Sequence, residues 1–267
     1  LTRAADLFVL NLECCISERG TRWPDPRKPF FFRAPPAATE VLNQLGVDCV
    51  TLANNHALDF GAEALLDTFE HLETAGIKWV GAGRNLEEAR RPAVLDADGF
   101  RLAVLGGSDH PAEFAARPDS PGIAYGLDLL AAAIDGLDAD AVLVTPHWGP
   151  NMTAAPRPHV LHAATSLRAA GATLIAGQSA HVFHGVEPGV DHLRGGGASG
   201  DLLQQPRLHL VRLHRVGALE AGLAAQGVPG DVYVYGQGKN ISMGDWVELI
   251  LRIGHEHGFW PDDREVA

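Results

Sequence analysis

The sequence predicts an α/β fold, and three observations carry that prediction. Short apolar runs alternate with helical patterns at βαβ spacing through the first half of the chain. Several of those runs stop abruptly at polar residues, just where a turn and then a helix begin. The chain has 267 residues, 46% of them hydrophobic, which is ample for a sizeable core, yet no stretch is long and apolar enough to span a bilayer.

Composition narrows the function classes. A formal net charge of −12 repels phosphate backbones at long range, which disfavours general nucleic-acid or anionic-membrane binding. Three cysteines, Cys14, Cys15 and Cys49, are too few for a disulfide framework and read as buried thiols, consistent with a reducing compartment. The chain opens Leu1-Thr2-Arg3, without an initiator methionine or a signal-peptide pattern. It therefore reads as a fragment whose start lies upstream, cytoplasmic if that start carries no signal and cell-envelope otherwise.

Leu7 to Leu12 is the first strand, and Glu13 follows it directly. A carboxylate after a buried run is costly unless solvated, paired or metal-bound, so Glu13 is either a surface residue or a ligand. Arg19 to Pro36 is irregular and holds Arg22, Arg27, Lys28 and Arg33, the most basic part of an acidic protein. It reads as a surface loop or as a lip over a pocket for anionic groups. Pro36 to Leu45 is a helix ended by Gly46.

The next strand, Val47 to Leu52, stops at Asn54-Asn55-His56. A helix follows, with Ala64, Leu65, Thr68, Phe69 and Leu72 on one stripe, closing at Gly76. Carboxyl ends of strands are where α/β sheets hold ligands. Asn55 there offers an amide oxygen to a metal and His56 an imidazole to a proton transfer. The plainer alternative is a turn in which Asn54 caps the helix.

Ile77 to Val80 is a short strand, followed by Gly81-Ala82-Gly83, which lacks full dinucleotide spacing and reads as a tight turn. Leu86 to Arg91 is a helical turn. Pro92 to Leu95 and Phe100 to Leu105 form a hairpin across Asp98-Gly99. Asp109 and His110 follow and are read as loop residues in preference to ligands. Leu127 to Leu137 is a helix, Ala141 to Thr145 a strand ending at His147, His159 to Ala170 a helix, and Thr173 to Ala176 a strand leading to Gln178 and His181. Leu193 to Gly230 has no clear periodicity. In the tail, Val232 to Tyr235 is strand-like and Asp245 to Gly254 helical.

Four strand exits thus carry metal-type donors: Glu13, Asn55 with His56, His147, and His181. Mixed oxygen and imidazole donors suit manganese, iron or zinc, and the lack of thiolates argues against a structural zinc site.

The same segments resemble the CapA family of bacterial poly-γ-glutamate capsule-synthesis proteins, related to calcineurin-like metallophosphoesterases. The matching pieces are Asn11-Leu12-Glu13, Leu52 to His56 with Ala57 to Gly61, Gly81 to Gly83 with Asn85, His147-Trp148-Gly149, and Gly177 through Glu187. The resemblance implies a four-layer αββα metallophosphoesterase-like sandwich over residues 1–190, its first strand missing, with 191–267 a divergent segment partly completing it. It implies a two-metal centre with Glu13, Asn55, His147 and His181 as ligands and His56 as general acid. Asn11, Asn54 and Gln178 are weak ligands or supports of the ligands.

Three departures qualify these expectations. The family's opening strand ending in Gly-Asp is absent. Gln178 stands where the last motif has histidine, which weakens one metal position. No closing Gly-Asn-Phe or Gly-Asp-Phe stretch follows Glu187. The expected function is a metal-dependent phosphoesterase-like hydrolase of capsule synthesis, acting on a small molecule or polymer with phosphoryl or carboxylate groups. The alternative is a non-catalytic scaffold or binding component of polymer synthesis or export. A nucleotide site at Gly81 to Gly83 is a third, weaker reading.

Overall fold

The computed structural model describes residues 6–181, and the backbone of 208–213 and 219–220. In chain order the elements are β1 (Leu7–Leu12), β2 (Cys15–Ile16), β3 (Arg33–Ala34), α1 (Ala38–Gln44), β4 (Cys49–Thr51), α2 (Gly61–Thr74), β5 (Lys78–Val80), β6 (Ala82–Gly83) and α3 (Leu86–Arg90). They continue with β7 (Ala93–Ala97), β8 (Phe100–Ser108), β9 (Gly122–Ile123), α4 (Asp128–Ile134), β10 (Ala141–His147), α5 (Pro158–Ala169), β11 (Leu174–Ile175), β12 (Leu208–Leu213) and β13 (Leu219–Glu220). The chain is therefore a mixed α/β fold with two largely parallel sheets, in strand orders β13-β12-β1-β4-β5 and β11-β10-β8-β7.

Strand β1 is buried along its whole length, as a strand between two parallel neighbours must be. Alternation then decides which side chains meet. Phe8, Leu10 and Leu12 join a core with Leu65, Phe69 and Leu72 of α2, on the outside of the first sheet. Leu7 and Val9 point the other way, into a core shared with Leu102, Val104 and Leu143 of the second sheet. The second sheet repeats the pattern. Val142 and Val144 pack on Leu130 and Ile134 of α4 and Leu167 of α5, while Leu143 faces the first sheet.

The sheets approach closely where β4 crosses β8. A Cβ on Gly106 would lie 2.6 Å from Thr51 Oγ1, so only glycine fits this crossing. The β7–β8 hairpin turns at Asp98 and Gly99, with φ of 52° and 87°, the left-handed pair such tight turns need.

Most expected elements are present within a few residues of their anticipated ends; beyond the short unanticipated β2–β3 pairing, three differences bear on the sheets. Strand β8 runs on through Gly106 and Gly107 to Ser108. Gly81 to Gly83 is more than a turn: Ala82 and Gly83 pair with Ile123 and Gly122. The segment with no clear periodicity contains β12, which lies parallel to β1 from Leu7↔Leu208 to Leu12↔Leu213. The end of the matched stretch up to Glu187, and the readings for Val232 to Tyr235 and Asp245 to Gly254, lie outside the described residues.

Candidate functional site

Strand parity brings two donors together from opposite sheets. Asn11 and Glu13 follow Leu7 and Val9 on the face of β1 that looks across the sandwich, and His147 follows Leu143 on the matching face of β10. The Glu13 carboxylate lies 3.7 Å from His147 Nδ1, and each side chain is only 2% exposed. A carboxylate this deep needs partners. Asn11 Nδ2 donates to Glu13 Oε1 at 2.6 Å.

Asn54 extends this network into the next strand end. Its Nδ2 donates to Asn11 Oδ1 at 3.0 Å and to the Leu12 carbonyl at 2.9 Å, and its Oδ1 accepts from His56 N–H at 3.0 Å. Asn54 therefore does not cap the helix: α2 begins at Gly61, after Phe60, without a side-chain cap. Instead this fully buried amide ties the exit of β1 to the turn after β4.

His56 is held from two sides. Its Nδ1 lies 2.7 Å from Asp59 Oδ2, and Phe32 packs over its ring with centroids 4.2 Å apart. Asp59 is wholly buried and also accepts from Phe32 N–H at 2.6 Å, while Lys28 Nζ lies 3.0 Å from its other oxygen. Lys28 also donates to the Asn55 carbonyl at 2.7 Å. Lys28, expected among the cations of an anion-binding lip, thus neutralises a buried carboxylate inside the protein. An Asp accepting from Nδ1–H leaves His56 Nε2 as the ring atom that carries or releases a proton.

A second cluster lies at the ends of β8 and β10, where His147 pairs with Ser108 in register. Asp109 contacts His110 Nδ1 through one oxygen. Through the other it contacts His159 Nε2 at 3.0 Å and accepts from Gly149 N–H at 2.9 Å. Burial alone would raise the Asp109 carboxyl, but the hydrogen bonds from His110 and Gly149 outweigh it and hold the group below the usual carboxylate range. The His110 ring lies 5.1 Å from the His147 ring, and Ser179 Oγ is 3.4 Å from His110 Nε2. Asp109 and His110 are loop residues, as expected, in the bend that follows β8; what the sequence did not indicate is that this bend gathers them with His159 and His147. Three more residues of β8, Gly106 to Ser108, carry them to a position directly after the strand and beside His147.

The remaining expected site residues are more loosely tied. Gln178 forms a parallel bridge with His147, donating its N–H to the Pro146 carbonyl at 2.9 Å. Its Oε1 is buried without a hydrogen-bond partner among the described residues. Asn55 is half-buried, and His181 is exposed with a left-handed backbone, φ 56°. Among the described residues no three His, Cys, Asp or Glu side chains group closely enough to hold a metal ion. The cysteines are free and buried, and burial pushes the Cys15 and Cys49 thiols up to about 12.

A family model described as bacterial capsule synthesis protein PGA_cap matches residues 1–193. The chain is 36% identical over 193 residues to a Mycobacterium tuberculosis protein named "Probable polyglutamine synthesis accessory protein", a match covering 67% of this chain and 50% of that one. It is 27% identical over 192 residues to the "PGA biosynthesis protein CapA" of Bacillus subtilis, covering 69% and 50%. The chain thus spans about half the length of these curated relatives. Haemophilus influenzae NAD nucleotidase aligns with a TM-score of 0.37 at 16% identity, over 60% of this chain and 27% of that one, a likeness too slight to carry an argument.

Proposed function

This chain belongs to the PGA_cap family of bacterial capsule synthesis proteins, and from that premise we propose that it is the phosphoesterase-like part of a CapA-type protein serving poly-γ-glutamate synthesis. The observation that carries the reading is the meeting of Glu13 and His147 across the two sheets, joined through Asn11 and Asn54 to the turn that holds His56. Helices pack outside each of two facing sheets, which supports a four-layer αββα metallophosphoesterase-like sandwich.

The donors fit one divalent cation better than two. Glu13, His147 and Gln178, whose Oε1 has no hydrogen-bond partner among the described residues, are the residues that would hold it, with Asn55 and His181 the remaining candidates. When bound, such a cation supplies positive charge to a phosphoryl group. The chain's own part is proton handling and positioning. Asp59 fixes the His56 ring so that Nε2 can deliver a proton to a leaving oxygen, and Lys28 holds Asp59 in place through its other oxygen at 3.0 Å.

The second reading is a non-catalytic scaffold of polymer synthesis or export. It is favoured by Gln178 standing where a stronger imidazole donor is expected, and by the lack of a third close strong donor among the described residues. One experiment separates the two: metal analysis together with hydrolysis of bis(p-nitrophenyl) phosphate in the presence of manganese. The enzyme reading expects bound metal and turnover that falls about 100-fold or more in His56→Ala. Metal-free protein with no turnover supports the scaffold.

A further inference from the structure

The basic segment running into β3 holds two guanidinium groups that, among the described residues, form no ion pair of the kind that occupies its other cations. Arg19 pairs with Asp67 and Glu63, Arg27 with Asp25, and Lys28 with Asp59. Arg22 and Arg33 instead rest on aromatic faces. The Arg22 guanidinium lies 5.4 Å from the Phe31 ring centre and that of Arg33 lies 4.2 Å from Phe60. The two rings meet edge to face at 6.4 Å, so the contacts run arginine, ring, ring, arginine. Both arginines are exposed.

This lip has a fixed base. Trp23 N–H donates to the Asp59 carbonyl at 2.8 Å, and Arg33 Nη1 donates to the Arg19 carbonyl at 3.2 Å. Gly20, with φ 87°, lies so close to the Phe60 carbonyl that a Cβ would come within 2.2 Å of it. Phe60 directly follows Asp59 in the turn that carries His56. Phe32, stacked 6.2 Å from the exposed Phe30, covers the His56 ring. Arginines held by rings keep most of their N–H groups free, and the planar fork matches a carboxylate or phosphate in two-point contact. Each guanidinium sits on a different ring, so the pair suits charges repeated along an extended chain better than one small anion.

We propose that Arg22 and Arg33, seated on Phe31 and Phe60, form a binding track for an extended polycarboxylate chain along the lip beside His56. The track rests on the reading that the His56 turn faces substrate. It also reconciles an acidic protein with an acidic ligand, because the positive charge is local. Binding therefore weakens steeply with salt.

The test is calorimetric binding of poly-γ-glutamate to this chain at low ionic strength with EDTA present, so that no metal contributes. Wild type is expected to bind, and Arg22→Gln/Arg33→Gln to bind about tenfold or more weakly, the loss of two charge-assisted contacts. The charge-matched control Arg84→Gln/Arg101→Gln should bind like wild type. Equal affinity of wild type and the Arg22/Arg33 variant, equal loss in the control, or no wild-type binding overturns the track. Inorganic phosphate displacing the polymer at near-stoichiometric concentration also overturns it, in favour of a phosphate site. Wild type that binds the polymer yet shows no manganese-dependent turnover removes the catalytic reading and leaves the track standing.

Discussion

The two sheets end in clusters of different construction. At the exits of β1 and β4, the side chains of Glu13, Asn11 and Asn54 are buried and linked by hydrogen bonds, and Asp59 orients His56. At the exits of β8, β10 and β11, Asp109 gathers two histidines and a backbone N–H, His110 is half-buried, and Gln178 leaves its oxygen without a partner among the described residues. The first cluster is pre-organised: its geometry is settled before any ligand arrives. The second contains the Gln178 oxygen, buried without a hydrogen-bond partner among the described residues. A site assembled this way takes its orientation from one sheet and leaves its open valence on the other.

The largest effect should come from breaking the anchor of the rigid side. Asp59→Ala leaves Lys28 without its buried counter-charge and Phe32 N–H without its acceptor. Loss of a buried partner of this kind costs about 3–5 kcal/mol. Chemical denaturation should register it, together with loss of whatever turnover the wild type shows. A change below about 1 kcal/mol would mean the anchor is not closed as described.

The next effect tests the asymmetry itself. Asn54→Ala removes hydrogen bonds to Asn11, Leu12 and His56 at once and should destabilise by about 2–3 kcal/mol. Ser179→Ala removes longer contacts, to His110 at 3.4 Å and Gly149 at 3.1 Å, and should cost about 1 kcal/mol or less. Denaturation midpoints compared at matched slope decide it; equal losses would erase the contrast.

The smallest effect is a pH dependence. The folded Asp109 carboxyl lies below its ordinary value, so its contribution to stability is complete at neutral pH. That contribution is lost as pH falls through the carboxylate range toward the folded value. Asp109→Asn should therefore flatten part of the acid limb of a stability–pH profile between about pH 5 and 2, with His110 and His159 still present. An unchanged acid limb would show that Asp109 is not held by these partners in solution.

The same contrast explains what could be read from the sequence. Glu13, Asn54-Asn55-His56 and His147 were legible because each stands directly after an apolar run, and a period of two sets the face on which Glu13 and His147 project. Asp109 and His110 were not, because Gly106 and Gly107 look like turn residues. In the fold those glycines are strand positions, kept small by Thr51 and by Leu130 crossing over them. Strand β12 was hidden among arginine, histidine and glycine, so its place beside β1 came from pairing and not from pattern. Lys28 looked like a surface cation because nothing local marks Asp59, 31 positions along the chain, as its buried partner.

The central claim is that strand ends of opposite sheets deliver Glu13 and His147 to one point that holds a divalent cation. Manganese binding by calorimetry, on the metal-stripped chain and on Glu13→Gln, tests it most directly. The account predicts one saturable site in the wild type and at least about a tenfold loss of affinity in Glu13→Gln. Equal manganese affinity in the two proteins, or no binding to either, would contradict it.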